Sequence, residues 1–219
     1  VPLAVTNVTG AFLAVAKTED LVEVQKFLPN VELEHSPVAG GGLYASVRGI
    51  GFADNRKTFE PTVGVSLDGV FLGSNSGAAL EMFDIESIQV LRGPQGTLFG
   101  RNTTGGSIVI TRSRPTGEFG VRAGFLYGRY NRFEENVVLN LPKFGDSVSV
   151  KLYAFKKDSD SFQQQAATGK HDKEEDSLQF GGAILFEPSD DFEALLSIDY
   201  VDDKMRPTRA VSLTPESQL

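Results

Sequence analysis

The sequence predicts a small mixed α/β unit followed by antiparallel strands of the kind that line a membrane barrel. Three observations predict it. Residues 1 to about 115 mix short apolar runs with helical stretches and glycine-rich links. From Gly117 onward, apolar and polar residues alternate in five consecutive runs. Between these textures lies VLRGPQGTLFGRNTTGGSIVI (residues 90–110), where five glycines, one proline and two arginines separate two strand-like runs without one acidic residue. In a chain of net charge −8, those arginines need a receiver outside their own segment.

The elements follow in order. Val1–Thr6 suits a short strand, and Thr9 can cap a short helix through Phe12, Leu13 and Ala16. Thr18 reads as a better N-cap: Glu19 and Asp20 fill the first turn, Leu21, Val24 and Leu28 share a face, and Pro29 ends the helix. Short β segments are expected around 43–49, 62–70, 85–91 and 107–111. The links at 49–61 and 73–79 are long and glycine-rich, and such loops in a compact unit usually carry function or face a partner.

The five alternating runs place Phe119, Val121, Ala123, Phe125 and Tyr127 on one parity, then Val137, Leu139 and Leu141, then Val148, Val150, Leu152 and Ala154. Leu178, Phe180, Ile184 and Phe186 make the fourth, and Phe192, Ala194, Leu196, Ile198 and Tyr200 the fifth. Each run has roughly the 9–12 residues that a tilted strand needs to cross a bilayer. The links at 142–146 and 188–191 are tight Pro/Gly/Asp turns, whereas 158–176 reads as a long, charged, solvated loop. Short turns at one end and a longer loop at the other suit an outer-membrane barrel. A soluble antiparallel sandwich alternates too. Tyr127, Tyr130, Phe133 and Phe155 are candidates for interfacial aromatic girdles. Five strands cannot close a membrane barrel, whose smallest form has eight, so the chain reads as trimmed at both ends.

Composition removes several classes. A sequence pI near 4.9 argues against nucleic acid as a partner. With no cysteine, disulfides, thiol catalysis and cysteine metal sites are excluded. The two histidines, His35 and His171, are far apart and suggest neither a metal site nor a catalytic triad. GIGFAD (residues 49–54) lacks the third glycine of a dinucleotide fingerprint, and GRNTTGGS (100–107) lacks the Gly-Lys-Ser/Thr of a phosphate loop. No enzyme, cofactor or metal is expected.

IESIQVLRGPQGTLFGRNTTGGSIVITRSRP (85–115) closely resembles the end of the plug domain of TonB-dependent outer-membrane receptors. VPLAVTNV, DLVEVQKFLPNVEL, LYASVRGIG and PTVGVSLDGVFLG fall in the order expected of such a plug. The resemblance implies a plug over 1–115 and, over 116–219, about the first five strands of an incomplete 22-stranded transmembrane β-barrel. It implies residence in the cell outer membrane, with membrane lipid as one partner. It also implies a periplasmic TonB energy-coupling protein that engages a segment upstream of Val1. The substrate would be a scarce, large solute: a ferric siderophore first, with haem, cobalamin or an oligosaccharide also open. A signalling or adhesion receptor on the same frame is the alternative. One position departs from the family: Gln89 stands where a glutamate is common, which leaves Glu86 as the acidic contact.

If the plug sits in a barrel, lumen carboxylates can receive Arg92 and Arg101, together with Arg48 and Arg112, through bidentate bonds. Gly93, Gly96, Gly100, Gly105 and Gly106 would serve as turn or hinge glycines beside the wall. Phe52, Asn55, Arg56 and Phe59, with Phe99 and Asn102, are the substrate-facing candidates at the plug's outer tips, mixing stacking surface with polar contacts.

Overall fold

The computed structural model describes residues 4–18, 20–36, 42–51, 60–74, 81, 83–164, 169 and 171–204. β1 (Ala4–Thr9) leads into α1 (Gly10–Ala16), capped as the sequence suggests: Phe12 N donates to Thr9 Oγ1 at 3.3 Å. The next helix differs from expectation. It is a 3-10 helix over Val22–Phe27, and Asp20 rather than Thr18 serves its start, accepting from Glu23 N at 2.8 Å. Leu21, Val24 and Leu28 are all buried as the pattern requires.

β2 (Val31–His35) and β3 (Leu43–Val47) pair antiparallel, and β4 (Ile50–Gly51) completes a three-stranded sheet. β2 was not anticipated, although Val31 and Leu33 alternate with exposed Glu32 and Glu34. β5 (Val63–Leu67) turns through Asp68 (φ 49°) and Gly69 (φ 82°) into β6 (Val70–Leu72). Two central residues of positive φ match the twist of a two-residue hairpin, which explains the Asp-Gly pair. β7 (Ile85–Arg92), the one-turn helix α2 (Gly96–Phe99) and β8 (Gly106–Arg112) complete the unit. Its main sheet runs β1-β7-β8-β5-β6, with only β5 and β8 parallel. One core joins both sheets, from Val8 and Leu13 through Leu33, Leu43 and Val65 to Ile108 and Ile110.

β9 (Gly120–Tyr127), β10 (Phe133–Asn140), β11 (Val148–Gln164), β12 (His171–Ser189) and β13 (Phe192–Asp203) form a consecutive antiparallel sheet. The expected loop at 158–176 is mostly strand. Asp158 pairs with Asp176, Ser159 with Glu175, and Gln164 with His171. Strand pairing uses backbone groups, so a polar alternation continues the ladder where water solvates both sides. At ~3.3 Å per residue, β11 runs about 56 Å, well beyond a bilayer's hydrocarbon core.

The two faces of this sheet differ. Leu152, Gly182 and Ile198 share one row of the outer face, flanked by Phe180, Tyr200, Ile184 and Leu196. These side chains are exposed; Ile198 keeps 69% of its surface. From Leu178 to Phe186 the apolar band covers about 26 Å of strand, or ~20 Å of slab at barrel tilt. The opposite face, carrying Ser149, Lys151, Tyr153, Phe155 and Lys157, is buried against the α/β unit. Phe155 therefore belongs to the inner face and not to a girdle. No described helix is long and apolar enough to cross a membrane.

One glycine locks α1 to the sheet. A Cβ on Gly10 would lie 1.8 Å from the Ile85 carbonyl oxygen, so the helix can approach β7 only without a side chain there. Gly10→Ala should destabilise the α/β unit by about 1–3 kcal/mol, read as a lower urea midpoint for its unfolding.

Candidate functional site

The polar face of the strand wall and the α/β unit meet along a seam centred on residues 81–84. β11 offers Lys151, Tyr153, Phe155 and Lys157 at alternate positions, so all four point to one side. Three residues of the segment 81–84 meet them. Glu81 Oε1 lies 3.3 Å from Lys157 Nζ, the Phe83 ring stacks on Phe155 at 5.0 Å, and Asp84 Oδ2 lies 2.6 Å from Lys151 Nζ.

Asp84 is the hub. Its side chain and that of Lys151 are only 1% and 2% exposed. Arg122 of β9 and Ser113 Oγ also donate to its carboxylate, the latter at 2.5 Å. Lys151 donates in addition to the Ser113 carbonyl and, at 3.2 Å, to Ser113 Oγ. Asp84 sits at φ 55°, a left-handed conformation that Asp tolerates better than most residues. Every donor around this buried carboxylate is thus matched, the condition under which a buried ion pair holds.

Arg112, at the end of β8, makes a second crossing. Its Nε donates to Asp68 Oδ2 at 2.6 Å and its backbone N–H to Asp68 Oδ1 at 2.8 Å. Its Nη1 donates to Tyr153 Oη at 2.7 Å and to Asp199 Oδ1, while Nη2 donates to Asp199 Oδ2 at 2.9 Å. Tyr153 Oη donates in turn to Asp199. Burial pulls the guanidinium pKa down, but the bonds to Asp199 and Asp68 outweigh it and hold the pKa above its ordinary value. Arg114 reaches Glu193 on β13 at 3.1 Å; both side chains are nearly half exposed, so this pair adds little.

Above the hub, His35 Nε2 lies 2.8 Å from Asp20 Oδ2. Burial pushes the Asp20 carboxyl up, yet the bonds from His35 and from Glu23 N bring it net below its usual range. The same bond to Asp20 raises His35. Burial pushes Glu81 up to about 7, with Glu175 and Asp20 adding to the effect and Lys157 opposing it.

Of the four arginines expected at the wall, Arg112 is the one that the structure brings onto β9–β13. Arg92 donates to Thr6 Oγ1 at 2.6 Å and Arg101 to Glu60 at 2.8 Å, both within the α/β unit. Arg48 occupies the β3–β4 turn at φ 55° with its side chain exposed. Glu86 is exposed, and its charge acts on Arg114. Gly93 (φ 93°) and Gly100 (φ 75°) take conformations that suit glycine, and a Cβ on Gly106 would lie 2.5 Å from the Leu91 carbonyl oxygen. Gly105 packs as closely on Ile50, whereas Gly96 opens α2 beside free space. Phe99 closes α2 half-buried, and Asn102 follows at φ 66°. Phe52, Asn55, Arg56 and Phe59 lie outside the described residues.

Sequence reasoning missed Asp84, Asp68, Lys151, Tyr153, Lys157 and Asp199. A signal existed for the wall residues: charged or hydroxyl side chains recur on the parity opposite the apolar stripe, at Ser149, Lys151, Tyr153 and Lys157. No such signal marks Asp84, whose partners lie 29 to 67 positions away.

The geometry has counterparts among known proteins. Residues 1–107 match the family model of the TonB-dependent Receptor Plug Domain. Over 94 residues the chain is 34% identical to the pesticin receptor of Yersinia pestis, covering 42% of this chain and 13% of that protein. Its structure is similar to that of the ferric yersiniabactin uptake receptor of Yersinia pestis, with a TM-score of 0.74 and 22% identity over 86% of this chain and 29% of the other. It is also similar to the pyoverdine outer membrane receptor of Pseudomonas aeruginosa PAO1 bound to pyoverdine, with a TM-score of 0.73 and 19% identity over 93% and 28% of the two chains. The chain spans less than a third of the length of each of these relatives, and the structural likenesses are of fold. The α/β unit matches the TonB-dependent receptor plug domain, and the sheet packed on it shares its fold with the corresponding part of these receptor structures.

Proposed function

We propose that this chain is the plug and opening wall of an energised outer-membrane importer, that its full barrel has 22 strands, and that its cargo is a ferric siderophore. The observation that carries this reading is the two-faced wall. Its outer face is an apolar band suited to lipid, and its inner face holds the plug by ion pairs and hydrogen bonds. A dry apolar interface would seal a pore permanently, whereas a polar one exchanges its bonds with water when the plug shifts. That is the property a gate needs.

The cargo class rests on likeness to the ferric yersiniabactin uptake receptor and the pyoverdine receptor. Partners follow from the same reading: outer-membrane lipid around the wall, and a periplasmic TonB protein acting on the segment before Val1. Phe99 and Asn102, together with Phe52, Asn55, Arg56 and Phe59, are proposed to face the cargo. Arg48, Glu86, Arg92 and Arg101 are proposed to meet wall beyond β9–β13, with Gly93, Gly96, Gly100, Gly105 and Gly106 as the turns that let this edge of the plug lie close.

The reading is tested by uptake of radiolabelled iron–siderophore complexes through the full-length receptor, in cells with and without the energy-coupling protein. Uptake should appear under iron starvation and vanish without that protein, while binding at the cell surface persists. Equal uptake in both strains would sink the importer.

The seam gives a second expectation. Asp84→Asn keeps the left-handed backbone but leaves Lys151 and Arg122 facing a neutral group, weakening plug docking by about 3 kcal/mol. Lys151→Met should cost less, because Arg122 and Ser113 still serve Asp84, and the double variant should fall short of the sum. Passive entry of an antibiotic too large for porins, in cells with each variant, ranks the three. A leak unchanged in Asp84→Asn would remove the hub from the gating account.

A further inference from the structure

We propose that the upper part of the seam is a pH-sensitive latch, in which proton uptake by Glu81 tightens the plug's grip on the wall and proton release loosens it. The proposal rests on the plug-in-barrel reading above. Its basis is a crowd of carboxylates around one cation. Lys157 of β11 lies 3.3 Å from both Glu81 of the plug and Glu175 of β12. Asp20 is joined to Glu81 through a backbone bridge, and Asp203 of β13 faces the same space as Glu175 and Lys157. Glu134 of β10 also acts on Lys157 but is held by Arg132. Among the described residues, Glu81, Asp20, Glu175 and Asp203 thus share the Lys157 ammonium, with His35 bonded to Asp20 at the edge.

The Lys157 and Glu81 side chains are 5% and 8% exposed, so water screens this excess negative charge poorly. The Phe83–Phe155 stack separates the crowd from the satisfied Asp84 hub. A cavity of about 100 Å³ between plug and wall, lined by Glu81, Arg112, Tyr153 and Asp199 together with Leu67 and Phe83, leaves Glu81 bordering open space. It has room for roughly three waters.

The sign follows from linkage. Glu81 is raised to about 7 from 4.5 in the docked plug, so its contribution to docking is complete below pH 4.5 and lost as pH rises through 7. His35 is raised chiefly by its bond to Asp20, which lies within the plug, so that contribution, complete below pH 6.5 and fading above it, belongs to the plug's own stability and leaves docking to Glu81. Asp20 is lowered, and its contribution persists throughout this range, being lost only in acid below 3.8. Docking is therefore tightest in mild acid and weakens through neutrality. Glu81 alone changes the docking equilibrium by roughly tenfold or more between pH 8 and pH 5.5.

The test uses the full-length receptor in planar bilayers, with the urea concentration at which the plug admits ions as readout. The wild type should need more urea at pH 5.5 than at pH 8. Glu81→Gln should bring the pH 8 value up toward the pH 5.5 value and flatten the dependence. Glu175→Gln removes a charge that raises Glu81, and so should move the transition to lower pH. Barrel assembly is checked for each variant by heat-modifiable gel migration. Equal urea values at both pH in the wild type would overturn the latch, as would a full pH slope surviving in Glu81→Gln or an unmoved transition in Glu175→Gln. Absence of a urea-dependent conductance at any pH would instead remove the plug-in-barrel reading itself.

Discussion

The contact between Asp84 and Lys151 is the constraint on which the rest of the seam depends. Both side chains are almost wholly withdrawn from water, where two opposite charges must satisfy each other and every remaining lone pair and proton. That demand fixes the segment 81–84 on β11. With Asp84 on Lys151, Phe83 falls between Tyr153 and Phe155, and Glu81 reaches Lys157. It also sets the exit from β8, because Ser113 serves Asp84 and Lys151 at once. Arg112, one residue earlier, is thereby carried to Asp199.

The wall solves two solvation problems with one period. Alternate residues of β11 are either exposed on the outer face or buried against the plug, so the period of two separates Leu152 from Lys151 and Tyr153 without any break in the strand. Gly181 belongs to the same economy. A Cβ there would lie 2.6 Å from Tyr153 Oη, and its absence lets that hydroxyl lie flat between Arg112 and Asp199. The aromatic stack at 83 and 155 then shields the ion pairs beside it from solvent.

Periodicity carried much of this into the sequence. The five wall strands, their outer face and the α1 cap at Thr9 rest on local spacing, which a single chain displays, whereas 62–70 reads as one β segment and is in fact broken by the turn at Asp68-Gly69. What stayed hidden rests on pairing across distance. The extension of β11 and β12 beyond Asp158 is polar on both faces and has no apolar rhythm, so it reads as loop until its ladder is seen. Phe155 looks like any aromatic near a strand end until its parity with Lys151 and Tyr153 is counted. The two arginines in the TRSRP stretch just past the glycine run, Arg112 and Arg114, cross to the wall, while Arg92 and Arg101 within that run turn to Thr6 and Glu60. Local sequence shows that an arginine needs a partner, not which carboxylate the fold will place beside it.

The plug holds itself together by different chemistry from that which holds it in place. Its core cluster, from Val8 to Ile110, contains no residue of the wall. Its attachments to the wall are charge-assisted bonds at Asp84, Arg112, Arg114 and Glu81, with one aromatic stack among them. Apolar burial responds weakly to pH and salt, whereas ion pairs respond to both, most strongly where water can enter. A plug built this way can be loosened from its barrel without losing its core. The two chemistries are thus divided between the inside of the plug and its rim, so a change in pH or salt acts on the rim before it acts on the core.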